Sequence, residues 1–323
     1  GMSKNDKYRD AGVDIERGDR FVEYIKGISS PAVSSSLGGF SGGVEIDTSS
    51  YTHPVVYSTT DGVGTKLLVA AALGDFSTIG IDLVAMCAND LLVCNVMPLS
   101  FLDYIACGKL DEQLLEAVME GIVKGCEQVG CSLAGGETAE LPDLYPENGL
   151  DLAGFCVGVG EKSKVLPKKE EVEPGDTILG LLSSGIHSNG LTLARKVLPY
   201  EECPEQFRVL LTPTKIYRRE LEYILSLPGI RGAAHITGGG LKGNIKRTLP
   251  DALIPRLTWD WPVPEIFTAI RERGDVTDNE MRTVFNMGIG IAVIAARAQA
   301  DSIIEKCALQ DISVLKIGEC GRG

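Results

Sequence analysis

The chain lacks three things whose absence narrows its function: a C-x-x-C pair, an excess of basic residues, and any apolar run approaching the roughly 18 residues of a membrane span. Its nine cysteines are scattered, several inside apolar stretches such as AGFCVGVG. They read as buried free thiols in a reducing compartment rather than as a disulfide framework or a zinc site. A net charge of −13 leaves no electrostatic footprint for a phosphodiester backbone, so neither a nucleic-acid nor a membrane partner is expected. A small phosphate-bearing ligand stays open, because backbone N–H groups, a lysine or two and a divalent cation suffice to hold one. No early segment has the basic and apolar regions of a secretory signal, and the sequence predicts a soluble, cytoplasmic protein. Histidine is scarce too: there are three, at His53, His187 and His235.

What is present is glycine, 38 residues of it without a collagen period, gathered into a few clusters. A length of 323 residues exceeds the usual single-domain range of about 100–200. The charged, proline-bearing stretch KSKVLPKKEEVEPGD breaks the apolar periodicity, which predicts two domains, 1–162 and 163–323. Apolar residues at helical spacing predict helices over IGIDLVAMCANDLLVCN and LDEQLLEAVMEGIVKGCEQVG, the second opened by Asp111 as N-cap and stopped by Gly130. PVVYSTTDG, PLSFLDYIACG, CSLAGG and LDLAGFCVGVGE read as strands. The second half alternates strand and helix again, and the fold class expected is α/β (α+β), each half a sheet with flanking helices.

Four clusters carry candidate chemistry. Asp61-Gly62-Val63-Gly64-Thr65-Lys66 follows a strand directly; its glycines let N–H groups face an anion while Lys66 adds charge, although an ordinary glycine turn has the same letters. It is neither a Walker A loop nor a full dinucleotide fingerprint. In the next predicted helix, Asp82 and the Asn89-Asp90 pair share one stripe, and carboxylates in an apolar helix require a partner or a cation. Asp61, Asp82, Asp90 and Glu137 read as oxygen ligands for Mg²⁺ bridging phosphates, with capping or a lysine pair as the alternative. The loops Ser184-Gly185-Ile186-His187-Ser188-Asn189-Gly190 and His235-Ile236-Thr237-Gly238-Gly239-Gly240 each precede a helix, where a phosphate monoester binds without net positive charge. Tight turns with satisfied histidines would look the same. His53 reads as a surface residue.

Taken together, LGGFSGG, TDGVGTKL, TIGIDLVAMCANDLLV, PLSFLDYIACGKLD, GCSLAGGETAELPDLY, SSGIHSNGLTLARK, HITGGGLKGNIKRTLP and FNMGIGIAVI resemble, in order, the blocks of the aminoimidazole ribonucleotide synthetase (phosphoribosylformylglycinamidine cyclo-ligase) family. The resemblance implies a ligase of purine biosynthesis, using ATP to close formylglycinamidine ribonucleotide to aminoimidazole ribonucleotide through an iminophosphate. It implies ATP and Mg²⁺ as cofactors and a small ribonucleotide substrate. It places the nucleotide on Gly38, Gly39, Phe40, Gly42, Gly62, Gly64, Thr65, Asp82 and Asn89, with Asp61, Lys66 and His187 in catalysis. The metal would sit on Asp61, Asp90 and Glu137, with Asp82 and Asp103 as second choices. Ser184, Gly185, His187, Ser188, Asn189, Gly190, Thr237, Gly238, Gly239 and Gly240 would take the ribonucleotide; Lys26 could reach a phosphate or be a solvated helix lysine. The family further implies a homodimer, with two N-terminal mixed sheets sharing a barrel and a C-terminal mixed sheet in each chain. The alternatives are another ATP-using member of the superfamily, such as a selenophosphate synthetase, and a non-catalytic nucleotide-binding paralogue.

Overall fold

The computed structural model describes residues 3–323. The first half contains α1 (Lys4–Asp10), α2 (Ile15–Lys26), β1 (Pro54–Gly62), α3 (Lys66–Leu73), α4 (Ile79–Leu92), β2 (Met97–Cys107), α5 (Glu112–Val129), β3 (Ser132–Glu140) and β4 (Leu150–Glu161). The second contains β5 (Thr177–Leu182), α6 (Leu191–Val197), α7 (Pro204–Val209), α8 (Arg218–Ile224), β6 (Ile230–His235), α9 (Gly240–Lys246), β7 (Leu253–Leu257), α10 (Glu265–Gly274), α11 (Asp278–Val284), β8 (Ile289–Ala295), α12 (Ala300–Leu309) and β9 (Val314–Arg322). Among the described residues no helix is long and apolar enough to cross a membrane.

The first sheet is mixed, in the order β1-β4-β2-β3, and only β2 and β3 run parallel. Their link is α5, a crossover of the kind parallel neighbours require. Asp111 caps α5, its carboxylate accepting the Leu114 N–H, and Gly130 ends it in the left-handed conformation. Helix α4 is buried almost all round, from Ile79 to Leu92, because it lies between the sheet and α5. The two helices touch backbone to backbone: a Cβ on Gly80 would stand 2.3 Å from the Ile122 nitrogen. Alternate residues of the strands therefore face α4, among them Asp61, Phe101, Asp103 and Ile105, while Val56, Thr60, Tyr104 and Phe155 line the outer face.

The second sheet has the order β6-β8-β5-β9-β7, and all its pairings are antiparallel, where a mixed sheet was expected. Antiparallel neighbours here are separated in sequence by helices, so strand–helix alternation alone does not fix the direction of pairing. Apolar runs such as Ile289–Ala295 are buried along their whole length. Strand β6, IRGAAH, carries no apolar alternation to mark it, yet it pairs with β8 from Ile230 to His235 around an irregularity at Arg231.

Candidate active site

The loops singled out in the sequence meet along the seam between the two sheets. Strand β1 delivers Asp61 and the turn Gly62–Thr65 to one side. The Thr65 hydroxyl lies 3.1 Å from that of Thr192, at the start of α6 in the other half. Gly64, at φ +55°, makes the turn, a conformation that costs glycine least. On the far side, the loops 184–190 and 237–240 are neighbours: a Cβ on Gly238 would stand 3.7 Å from the Asn189 amide nitrogen. Both loops lead into helices of only seven residues, α6 and α9. Loop amides, rather than a long helix dipole, are therefore what a phosphate would meet there. Asn244 ties down the second loop, donating to the carbonyls of Thr237, Gly238 and Gly240.

Asp61 and Asp90 face each other across the β1–α4 contact. Burial raises the Asp61 carboxyl above its ordinary range, opposed by the Gly62 N–H at 2.8 Å, and the nearby Asp90 charge raises it further. Asp90 in turn accepts from His235 Nδ1 at 3.0 Å. The other ring nitrogen, Nε2, accepts from the Asn89 amide at 3.4 Å, which fixes the proton on Nδ1. In the sequence His235 stands out only as one of three histidines at the start of a glycine loop. Like charges held this close, with Asp90 39% exposed, suit a cation brought in on a phosphate chain, since Mg²⁺ takes one or two carboxylates together with phosphate oxygens and water.

Glu137 does not join this pair. Its row of the sheet runs Gly62, Ala153, Tyr104, Glu137, three strands and about 14 Å from β1 and on the face opposite Asp61. No group of three carboxylate, histidine or cysteine ligands is gathered anywhere among the described residues. Glu137 instead lines a cavity of about 560 Å³ with Lys26, Asp103 and the loop Gly38–Gly42. There the loop lies flat on β3: a Cβ on Gly42 would fall 1.8 Å from the Ala134 oxygen. Gly38, at φ +95°, is crossed by the Lys26 side chain, and Phe40 is fully exposed. Gly39 sits between them in the turn.

Lys66, Asp82 and Asn89 depart furthest from expectation. All three are completely buried. Lys66 Nζ donates to Asp82 Oδ1, to the His187 carbonyl and to the Thr212 carbonyl, each at 2.8 Å. An ammonium has three hydrogens, so none is left for a phosphate. Burial lowers its pKa, and Asp82 opposes that shift. Asp82 Oδ1 also accepts from Thr214 N, Thr214 Oγ1 and Ser188 Oγ, and Asn89 spans Lys215 O and Tyr217 N. The cost of burying Asp82 and Asn89 in an apolar helix is offset here by Lys66 and by Ser188, Thr214, Lys215 and Tyr217 of the second half. His187 is nearly fully buried at φ +61°, with Nε2 accepting from Ser184 N at 3.0 Å and Lys215 N at 3.5 Å. Its Nδ1 has no partner, nor do Asp82 Oδ2 and Asn189 Oδ1.

Residues 48–160 match the N-terminal domain of AIR synthase related proteins, and residues 173–323 match the C-terminal domain. A two-domain AIR synthase related chain is thus the class that fold and seam define. At 17% identity the crystal structure of a thiamine-monophosphate kinase from Stenotrophomonas maltophilia K279a shares this fold, with a TM-score of 0.64 over 94% of this chain and 93% of that one. Much nearer in sequence are phosphoribosylformylglycinamidine cyclo-ligases. That of Bordetella petrii is 46% identical over 97% of this chain and 93% of its own length, and that of Sorangium cellulosum 46% over 97% and 94%. The chain belongs to the phosphoribosylformylglycinamidine cyclo-ligase family.

Proposed function

We propose that this chain closes the imidazole ring of 5-aminoimidazole ribonucleotide from formylglycinamidine ribonucleotide at the expense of ATP. The observation that carries the reading is identity of 46% to cyclo-ligases over 97% of the chain, so that both halves of the seam are included. ATP phosphorylates the formamide oxygen, the amidine nitrogen attacks the activated carbon, and phosphate leaves with the oxygen. What such a reaction asks of the protein is alignment of two ends of one substrate and hydrogen-bond donors where oxygen gains charge.

In this reading the halves divide the work at about residue 162. The first supplies Gly38–Gly42 and Lys26 for the nucleotide, together with the turn Gly62–Thr65. A magnesium ion carried by the nucleotide would be held by Asp61 and Asp90 and would neutralise phosphate charge. The second half offers the amides of 184–190 and 237–240 to the ribonucleotide phosphate. Because Asp61, Asp90 and His235 stand apart from the cavity at Gly42, one chain alone spreads the site thinly, which favours a homodimer. Its interface would be the outer face of the first sheet, where Val56 is 63% and Phe155 41% exposed. A patch of this kind on a folded protein marks an interaction surface, and two four-stranded sheets joined there would enclose a barrel.

The deciding assay follows ADP release from Mg-ATP with and without formylglycinamidine ribonucleotide, with the aminoimidazole product measured in the same tube. ADP that depends on the ribonucleotide and matches the imidazole establishes the activity. ATP bound but not consumed would instead identify a non-catalytic nucleotide-binding paralogue, and consumption without imidazole another member of the superfamily.

A further inference from the structure

Residues 212–217 of the second half form a strap sewn onto the first. Thr212 O is held by Lys66, Thr214 N and Oγ1 by Asp82, and Lys215 O and Tyr217 N by Asn89. The same strap presents the Lys215 N–H to His187 Nε2. Lys66 grips His187 a second time, through its carbonyl. A left-handed backbone at a non-glycine residue persists only where its surroundings over-determine it, and here the ammonium does so.

We propose that Lys66 is a positioning residue: through the strap and the His187 carbonyl it holds the imidazole with Nε2 consumed, leaving Nδ1–H as the ring's single free donor, aimed to meet an oxygen of the ribonucleotide. Two N–H groups pointing at Nε2 dictate which nitrogen carries the proton. The remaining N–H is buried without a partner, and buried donors are rarely left so unless a ligand or water completes them. The basic groups acting on the ring are His235, Lys66 and Lys215, and the Tyr217 ring stands 6.3 Å away at 61° to it; the Asp82 carboxylate is already taken up by Lys66. Burial first, then His235, Lys66 and Lys215, hold the imidazole well below its ordinary pKa, so it stays neutral. A neutral imidazole whose acceptor nitrogen is occupied cannot serve as a general base. It stabilises charge growing on oxygen by donation, as preorganised donors do.

This role in ring closure rests on the cyclo-ligase reading, but the clasp itself can be tested without turnover. With only three histidines in the chain, ¹⁵N-histidine labelling gives three resolvable ring patterns. His187 is expected as a single Nδ1–H tautomer that does not titrate between about pH 6 and 8. Its Nδ1 proton should shift on adding formylglycinamidine ribonucleotide; a shift with ribose 5-phosphate alone would assign the oxygen to the phosphate, and a shift with the full substrate only would assign it to the formamide. A shift with neither overturns the proposal. Lys66→Met should turn the His187 pattern into a tautomer mixture and raise KM for the ribonucleotide about tenfold, while KM for ATP changes less than about twofold. Should that variant not fold, Thr214→Val removes one Asp82 partner without stranding a charge and should show the same changes in smaller measure. An unchanged ring pattern in the folded variant, or a rise in the ATP KM alone, would make Lys66 a structural or a nucleotide residue and overturn the proposal. A wild-type protein that shows the ring pattern but no turnover would refute the cyclo-ligase reading and leave the clasp standing.

Discussion

Asp103 offers a test of how the first sheet stores a buried acid. It lies on the helix-facing side of β2, in the row Asp61, Gly154, Asp103, Gly136, and is 6% exposed. The space beside it exists because Gly136 lacks a Cβ, which would stand 2.6 Å from Asp103 Oδ1. Burial alone pushes the carboxyl up from 3.8 to about 7. Between those values the folded protein binds a proton that the unfolded chain has released, so stability falls as pH rises through the window. At ~1.4 kcal/mol per pH unit the full cost at pH 8 is about 4 kcal/mol. Asp103→Asn keeps the shape and abolishes the titration, and its buried amide costs about 1–3 kcal/mol of its own. The variant should thus match or slightly trail the wild type at pH 5 and exceed it at pH 8 by about 1–3 kcal/mol. Urea midpoints of ligand-free protein at one fixed concentration, followed by circular dichroism at both pH values, give the difference directly, since other titrating groups are common to both proteins. Equal pH slopes, or a variant weaker at pH 8, would show that the folded state holds this carboxylate charged and partnered.

Asp90→Asn should reduce substrate-dependent ADP release about 100-fold while shifting the melting temperature by no more than about 2 °C, because the side chain is part exposed and its charge acts on the ligand; near-normal turnover would remove Asp90 from the cation site. Gly42→Ala must push the glycine loop off β3, so equilibrium dialysis should show ATP binding weakened by about tenfold or more with a folded circular dichroism spectrum; unchanged affinity would detach that loop from the nucleotide. Val56→Glu combined with Phe155→Glu should halve the mass seen by light scattering, since charges at a buried sheet-to-sheet contact lack partners; a dimer that survives would place the interface elsewhere.

Much of the fold is legible in the sequence because its signals are local. Asp111 and Gly130 bracket α5 as its caps, and the apolar run of α4 announces burial on all sides. Strand β6 was silent because Arg231, Gly232, Ala233 and Ala234 show no apolar alternation; its place comes from pairing with β8, some 60 residues downstream. The site divides in the same way. That polar residues inside α4 need partners follows from the cost of burying them and is legible in the sequence alone. Which partners they take does not follow, because Asp82 and Asn89 find theirs on Lys66 and on the strap beyond residue 210.

The consequence is sharpest at two adjacent letters. Asn89 and Asp90 form one polar pair in the sequence, yet they differ by one step, about 100° around the helix. That rotation turns the Asn89 amide into the seam, where it binds the strap at Lys215 and Tyr217 and reaches His235 Nε2. It leaves Asp90 part exposed beside Asp61, accepting from the other nitrogen of the same imidazole. His235 is thus held at both ends by neighbours on one helix, one structural and one free to meet a ligand. Asn89, which binds the halves together, and Asp90, which faces Asp61, share one imidazole as partner, and loss of the Asn89 amide would release the nitrogen whose occupation sets the tautomer presented to Asp90.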